Sequence, residues 1–181
     1  MKDRRERLSH TTIALHWLIG LTVIGMLALG LWVEDLERGP LRTEWMGIHK
    51  SIGILVIVAA TLRLLWRMAN GFPVALSVMK AWERLVAHGV HWALLIATIV
   101  MPLSGIVMTL AGGRDLVLFG WTVIGAGAQN EGLAGFSKEV HEIGGTVLIV
   151  LIVLHVLAAL KHHLISRDAT LRRMLGRKIE G

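Results

Sequence analysis

Redox or ligand chemistry in this chain has to come from histidine. Nine histidines and no cysteine stand among the 181 residues. Iron–sulfur clusters, covalent c-type haem attachment, disulfides and thiol chemistry are therefore excluded. The most telling stretch is EVHEIGGTVLIVLIVLHVLAALKHH, from Glu139 to His163. His141 and His155 stand fourteen residues apart in it, which is ~21 Å along a helix and nearly one face. The segment otherwise reads as membrane-spanning, so one imidazole falls near each side of a bilayer. Polar groups at that depth are costly and usually functional. Paired with histidines from other helices, the two could hold two haems stacked across the membrane.

The elements that must position them are apolar helices. With 54% hydrophobic and 18% charged residues and a mean hydropathy of +0.63, the chain is too apolar for an ordinary soluble domain of this length. The expected fold is an all-α integral membrane protein, one domain over residues 1–181, with helices at about 12–33, 45–66, 86–110 and 140–163. Thr12–Val33 carries no Asp, Glu, Lys or Arg and lacks the short apolar core and small-residue cleavage pattern of a signal peptide, so it reads as a retained helix. Gly39-Pro40 marks a turn. Lys50, Arg63 and Arg67 lie toward the ends of the second helix, where basic side chains snorkel. Asn70-Gly71-Phe72-Pro73 breaks that helix, and Pro102 predicts a kink in the third. Arg114 to Lys138 reads as a Gly-rich, partly interfacial cap over one end of the bundle. After the fourth helix, Asp168 could cap a short basic amphipathic helix, ATLRRML, on the membrane surface.

Four spans place both termini on one side. Fourteen Lys and Arg fall on that side and five on the other, whereas acids divide five to eight. The positive-inside rule predicts an N-in, C-in topology, with both termini in the cytoplasm. The high pI is then a matter of topology, and nucleic-acid binding drops out.

With depths assigned, two pairs emerge: His16 with His155 on the inner side, and His49 with His141 on the outer. A planar cofactor beside a helix needs room, and a residue four positions on shares the histidine's face. Gly20, Gly53, Gly145 and Ala159 occupy those positions, with Gly144 and Ala158 also small. His88 and His91 are followed instead by Trp92 and Leu95, which favours packing or surface contacts for them. The competing explanation is that small residues recur wherever membrane helices pack and that histidines near helix ends sit among headgroups. Four such clearances at two matching depths favour the ligand reading. Bis-histidine ligation leaves iron no open position and suits electron transfer.

The stretches TTIALHWLIG, MGIHKSIGILVIVAATLRLLWRM, AHGVHWALL and HEIGGTVLIVLIVLHVLAALKHHLISRDATLRRMLG resemble the bacterial cytochrome b561 family, which is related to the cytochrome b subunits of nickel–iron hydrogenases. That resemblance implies a four-helix bundle with two b haems whose iron ligands fall on His16, His49, His141 and His155. It also implies electron exchange between a membrane quinone and a one-electron partner at the outer face. Its most concrete form is superoxide oxidation at the periplasmic surface with ubiquinone as acceptor.

Lys50 and Lys138 run against the charge asymmetry, each within three residues of an outer histidine. With Arg114 they could guide a small anion to the outer site, or neutralise haem propionates; ordinary snorkelling is the alternative. His162 and His163 sit at a helix C-terminus, where interfacial position alone accounts for them, and a quinone pocket is the other reading. His10 reads as solvated, and the tryptophans as an interfacial belt. Two further functions stay open: a cytochrome b anchor of a hydrogenase or other dehydrogenase complex, and a haem-free structural or transport bundle whose histidines line a polar cavity.

Overall fold

The computed structural model describes residue 3 and residues 7–76 and 79–179. Lys2, Arg4, Arg5, Glu6 and Glu180, which enter the charge comparison, lie outside the described residues. Four long helices form the body: α1 (His10–Asp35), α2 (Pro40–Asn70), α3 (Ala81–Ala111) and α4 (Glu131–Leu164). Each is long and apolar enough to cross a membrane. A two-stranded antiparallel hairpin, β1 (Leu116–Leu118) and β2 (Trp121–Ile124), lies between α3 and α4, and a short α5 (Thr170–Met174) follows α4.

The helices run past the apolar stretches because caps, not hydropathy, set their ends. Ser9 accepts the Thr12 amide at 3.2 Å to start α1, and Asn130 accepts the Leu133 amide at 3.0 Å to start α4. Helix α4 thus begins about nine residues earlier than expected, and Glu131 to Ser137 belong to it rather than to the loop. Pro40 occupies the first turn of α2, whose fixed φ and missing N–H suit that place. The charged LRTE segment is therefore helix and not connector. What remains of the predicted cap is the hairpin, turned by Phe119 and Gly120, both at positive φ. That is the backbone of the tight turns that match strand twist.

Large apolar side chains such as Leu21, Leu62, Ile143 and Leu157 point outward, as a lipid-facing surface requires. Inside, Ile19, Val23, Val56 and Leu148 form a small buried cluster. In lipid such a cluster stabilises through close packing rather than the hydrophobic effect. Backbones approach closely between α1 and α2, α2 and α3, and α3 and α4, whereas α4 approaches neither α1 nor α2 comparably. Leu148, midway in sequence between His141 and His155, fills the middle of that gap.

One end of the bundle is tied by a buried polar network. Asp3 pairs with Arg67 at 3.1 Å, accepts from the Ser9 amide at 2.8 Å and from the Thr12 hydroxyl at 2.9 Å. Arg67 also donates to Thr12 and to the Gly71 carbonyl. Both termini sit at this end, where Trp17 donates to the Met174 carbonyl at 2.9 Å and Arg173 to the Val74 carbonyl at 2.8 Å. Asp168 does not cap α5, whose N-cap position is Ala169, but from the residue before it accepts the Thr170 amide at 2.8 Å. Burial alone would raise the Asp3 carboxyl, but the hydrogen bonds from Ser9, Thr12 and Arg67 outweigh it and hold it below the ordinary 3.8. A depressed acid contributes stability that is complete above the ordinary value and lost as pH falls through the depressed one. Asp3→Asn should cost about 3 kcal/mol, because it leaves Arg67 buried without its counter-charge. Unfolding in detergent, followed by circular dichroism, should show that deficit at pH 7 and show it shrinking once the pH drops below 3.8.

Candidate functional site

Two histidine pairs bridge the gap in front of α4. At the end that holds the termini, His16 of α1 faces His155 of α4 with ring centres 6.0 Å apart. At the other end, His49 of α2 faces His141 of α4 at 6.2 Å. Two imidazoles bonded through nitrogen at about 2 Å to opposite sides of one metal have ring centres roughly 6 Å apart, so both spacings fit a shared iron. All four rings are half-buried. Among the described residues no three His, Asp or Glu side chains converge to chelate a bare ion. The geometry therefore offers two separate two-ligand sites, divided by the Ile19–Val23–Val56–Leu148 cluster.

Neighbouring atoms fix how the outer rings are presented. Nδ1 of His141 lies 2.9 Å from the Met101 carbonyl and 3.1 Å from Ser104 Oγ, whose own proton goes to the same carbonyl at 2.7 Å. A carbonyl only accepts, so Nδ1 carries the proton and Nε2 keeps a free lone pair. Nδ1 of His49 is buried without a hydrogen-bond partner among the described residues, a polar atom that a protein fold normally satisfies. Gly30 and Gly105 back onto these rings: a Cβ would stand 3.2 Å from Cε1 of His49 or of His141. At the inner pair, the Arg63 guanidinium comes within 3.3 Å of His16 Nδ1. Arg63 therefore turns inward onto a histidine instead of snorkelling away.

The clearance glycines divide. Nothing lies within 4 Å of where a Cβ would be at Gly20 or Gly53, so both floors are open. Gly144 and Gly145 depart from the expectation, because Met101 of α3 fills their space, its Sδ only 2.7 Å from a Cβ on Gly144. Their small size lets α3 and α4 close together. His91 also approaches the inner pair, 5.5 Å from His155 and stacked on Phe72 at 6.0 Å, but it is more exposed than the four paired rings.

Lys50 and Arg114 come together with Arg42, Ser51 and Asp115 around a cavity of about 670 Å³ beneath the hairpin. Lys138 does not line it. That side chain is exposed and pairs with Glu142 at 2.9 Å. His162 Nδ1 bonds Asp168 Oδ2 at 2.8 Å beside α5. Burial would raise the Asp168 carboxyl, but bonds from Thr170 and His162 hold it below the ordinary range. His163 is exposed, as is His10, which lies 3.1 Å from Arg7.

Sequence reasoning passed over Met101, Ser104, Gly30, Gly105 and Ser51. Ser104, a hydroxyl in an apolar helix two residues past Pro102, was the one available signal. Ser51 pins the hairpin to α2: its hydroxyl accepts the Phe119 amide at 2.9 Å and donates to the Gly47 carbonyl at 2.9 Å. Ser51→Ala should leave that amide unpaired, at about 1–3 kcal/mol of local stability. Hydrogen exchange at Phe119 and proteolysis at the turn should both speed up roughly tenfold or more, with the helices unaffected.

The prokaryotic cytochrome b561 family profile matches residues 7–177. Cytochrome b561 homolog 2 of Escherichia coli (strain K12) is 37% identical over 181 residues, covering 95% of this chain and 93% of its own length. Cytochrome b561 homolog 1 of the same strain is 30% identical over 96% of this chain and 99% of its own. A Yersinia pestis protein named probable superoxide oxidase CybB is 33% identical over 96% and 98%.

Proposed function

The chain belongs to the prokaryotic cytochrome b561 family of multi-pass, haem-binding electron-transfer proteins of the bacterial inner membrane, and from that premise we propose that it passes electrons from superoxide at the periplasmic face to ubiquinone. The observation that carries this reading is the pair of cross-gap histidine couples. His16 and His155 would hold one haem b, and His49 and His141 a second. Haem bound by two histidines supplies reversible one-electron exchange with no site for a small ligand on the iron. Gly20 and Gly53 leave room beside their histidines. The oriented Nδ1 of His141, which donates to the Met101 carbonyl, suits a ring whose other nitrogen is engaged.

In this reading both termini, and with them the His16–His155 end, face the cytoplasm, which the charge asymmetry of the sequence supports. The cavity, lined by the cations Arg42, Lys50 and Arg114 against the acids Glu44 and Asp115, then opens at the periplasmic face with a net positive lining. A cationic cleft raises the local concentration of a small anion and its rate of arrival. The relative named a probable superoxide oxidase supports that anion as the substrate. Each superoxide gives up one electron and leaves as dioxygen; two electrons and two protons from the inner side convert ubiquinone to ubiquinol. His162, hydrogen-bonded to Asp168, and His163 are the groups at the inner end assigned to the quinone.

The test supplies superoxide enzymatically to purified holoprotein with a soluble ubiquinone and follows quinol formation. Lys50→Glu combined with Arg114→Glu should slow the reaction about tenfold at low ionic strength, with the difference shrinking as salt screens the cleft. Lys138→Glu, which removes a side chain already paired with Glu142, should slow it less. A charge-reversed protein as fast as the parent would remove superoxide guidance, and quinol failing to form from the parent would remove the reaction.

A further inference from the structure

The hairpin is fastened lower on the bundle than a loop joining helix ends needs to be. Two contacts between the antiparallel neighbours α1 and α2 set the level. Trp32 packs on Trp45 with ring centres 5.3 Å apart, and deeper in, Gly30 backs onto His49. The charge-free run of α1 ends just past Trp32, at Val33, with Glu34 and Asp35 following. Trp32 and Trp45 therefore mark the edge of the bilayer at this end, where tryptophan concentrates. Ser51 lies six residues beyond Trp45 toward the membrane centre, ~9 Å along the helix. Its hydroxyl accepts the Phe119 amide at 2.9 Å. The turn of the hairpin is thus held below the tryptophan level, beside lipid and not above it.

Its residues are those such a place requires. From Leu116 to Asn130 none is charged. Strand β1 packs against α2 and α3, whereas all four residues of β2 are exposed, Trp121 at 81%, and Phe119 in the turn is exposed at 57%. An edge strand that faces water is ordinarily protected by charge or proline, and β2 has neither. Its free edge also leaves backbone N–H and C=O groups without a strand partner, which the hydrocarbon interior would not tolerate. The headgroup layer meets both conditions, because apolar side chains there reach the acyl chains while the backbone stays wet. We propose that the hairpin is a lipid anchor. Phe119, Trp121 and Val123 insert at the boundary between headgroups and acyl chains, continuous with the lipid-facing surface of the helices. They hold the roof of the Lys50–Arg114 cavity from the side that Ser51 does not. The anchor does not depend on what the histidine pairs bind.

The chain has no cysteine, so one introduced cysteine carries one nitroxide label. Trp121→Cys and Val123→Cys are compared with Leu62→Cys, on the lipid-facing surface, and Glu37→Cys, in the exposed turn between α1 and α2. Full-length purified protein is placed in phosphatidylcholine vesicles, and relaxation of each label by dioxygen, which concentrates in lipid, is set against relaxation by a water-soluble nickel chelate. Labels replacing Trp121 and Val123 should resemble the one replacing Leu62, with nickel access severalfold below that at Glu37. Unlabelled protein gives a second reading that needs no cysteine variant to fold: phosphatidylcholine brominated near the headgroup should remove more tryptophan emission from the parent than from Trp121→Phe. Nickel access equal to that at Glu37, or equal losses of emission from parent and Trp121→Phe, would overturn the anchor. So would spin–spin broadening that disappears on dilution with unlabelled protein, since a second copy of the chain would then cover β2.

Discussion

The gap between α4 and the α1–α2 pair is the constraint on which the rest of the structure depends. Packed membrane helices ordinarily close on one another through small residues. Here α3 and α4 do so, with Gly144 and Gly145 receiving Met101. On its opposite side α4 stands off, and among the described residues two imidazole pairs and the apolar cluster around Leu148 between them reach across. A polar ring left in such a gap without partners would be costly. The cytochrome b561 family, to which the chain belongs, binds haem b, and the imidazole pairs are where we propose that it is held.

What surrounds the gap holds its two ends in place by different means. At the end with the termini, Asp3, Thr12 and Arg67 bind the start of α1 to the end of α2, and α5 packs beneath through Trp17 and Arg173. At the far end, the hairpin hangs on α2 through Ser51 and roofs a cationic cavity. One end is a dense polar knot and the other an open, charged vestibule. That difference suits a membrane carrier that exchanges electrons with small solutes on one side and with a lipid-soluble partner on the other.

Much of this was legible in the residues. Four apolar runs, the family-like segments and the depths of His16, His49, His141 and His155 follow from composition and helical period, because a membrane leaves few ways to satisfy a backbone. Helix ends were less legible: hydropathy marks the part in lipid, while Asn130 and Pro40 begin the helices well before it. The space beside Gly20 and Gly53 is open, whereas Met101 occupies it at Gly144 and Gly145, since a glycine's face is known only once its neighbour is. The hydrogen bonds behind His141 and the inward turn of Arg63 depend on which helix lies alongside. No spacing within one helix encodes them.

Haem content per chain, measured on purified parent and on single alanine replacements of His16, His49, His141 and His155, tests the central claim most directly. Two b haems in the parent, with one lost in each variant and with identical residual spectra within the His16–His155 couple and within the His49–His141 couple, is the predicted result. A single haem in the parent, or a residual spectrum that groups His155 with anything but His16, would contradict it. Loss of the inner haem on replacing His91 instead of His16 would do so most plainly, because the His91 ring stands 5.5 Å from His155.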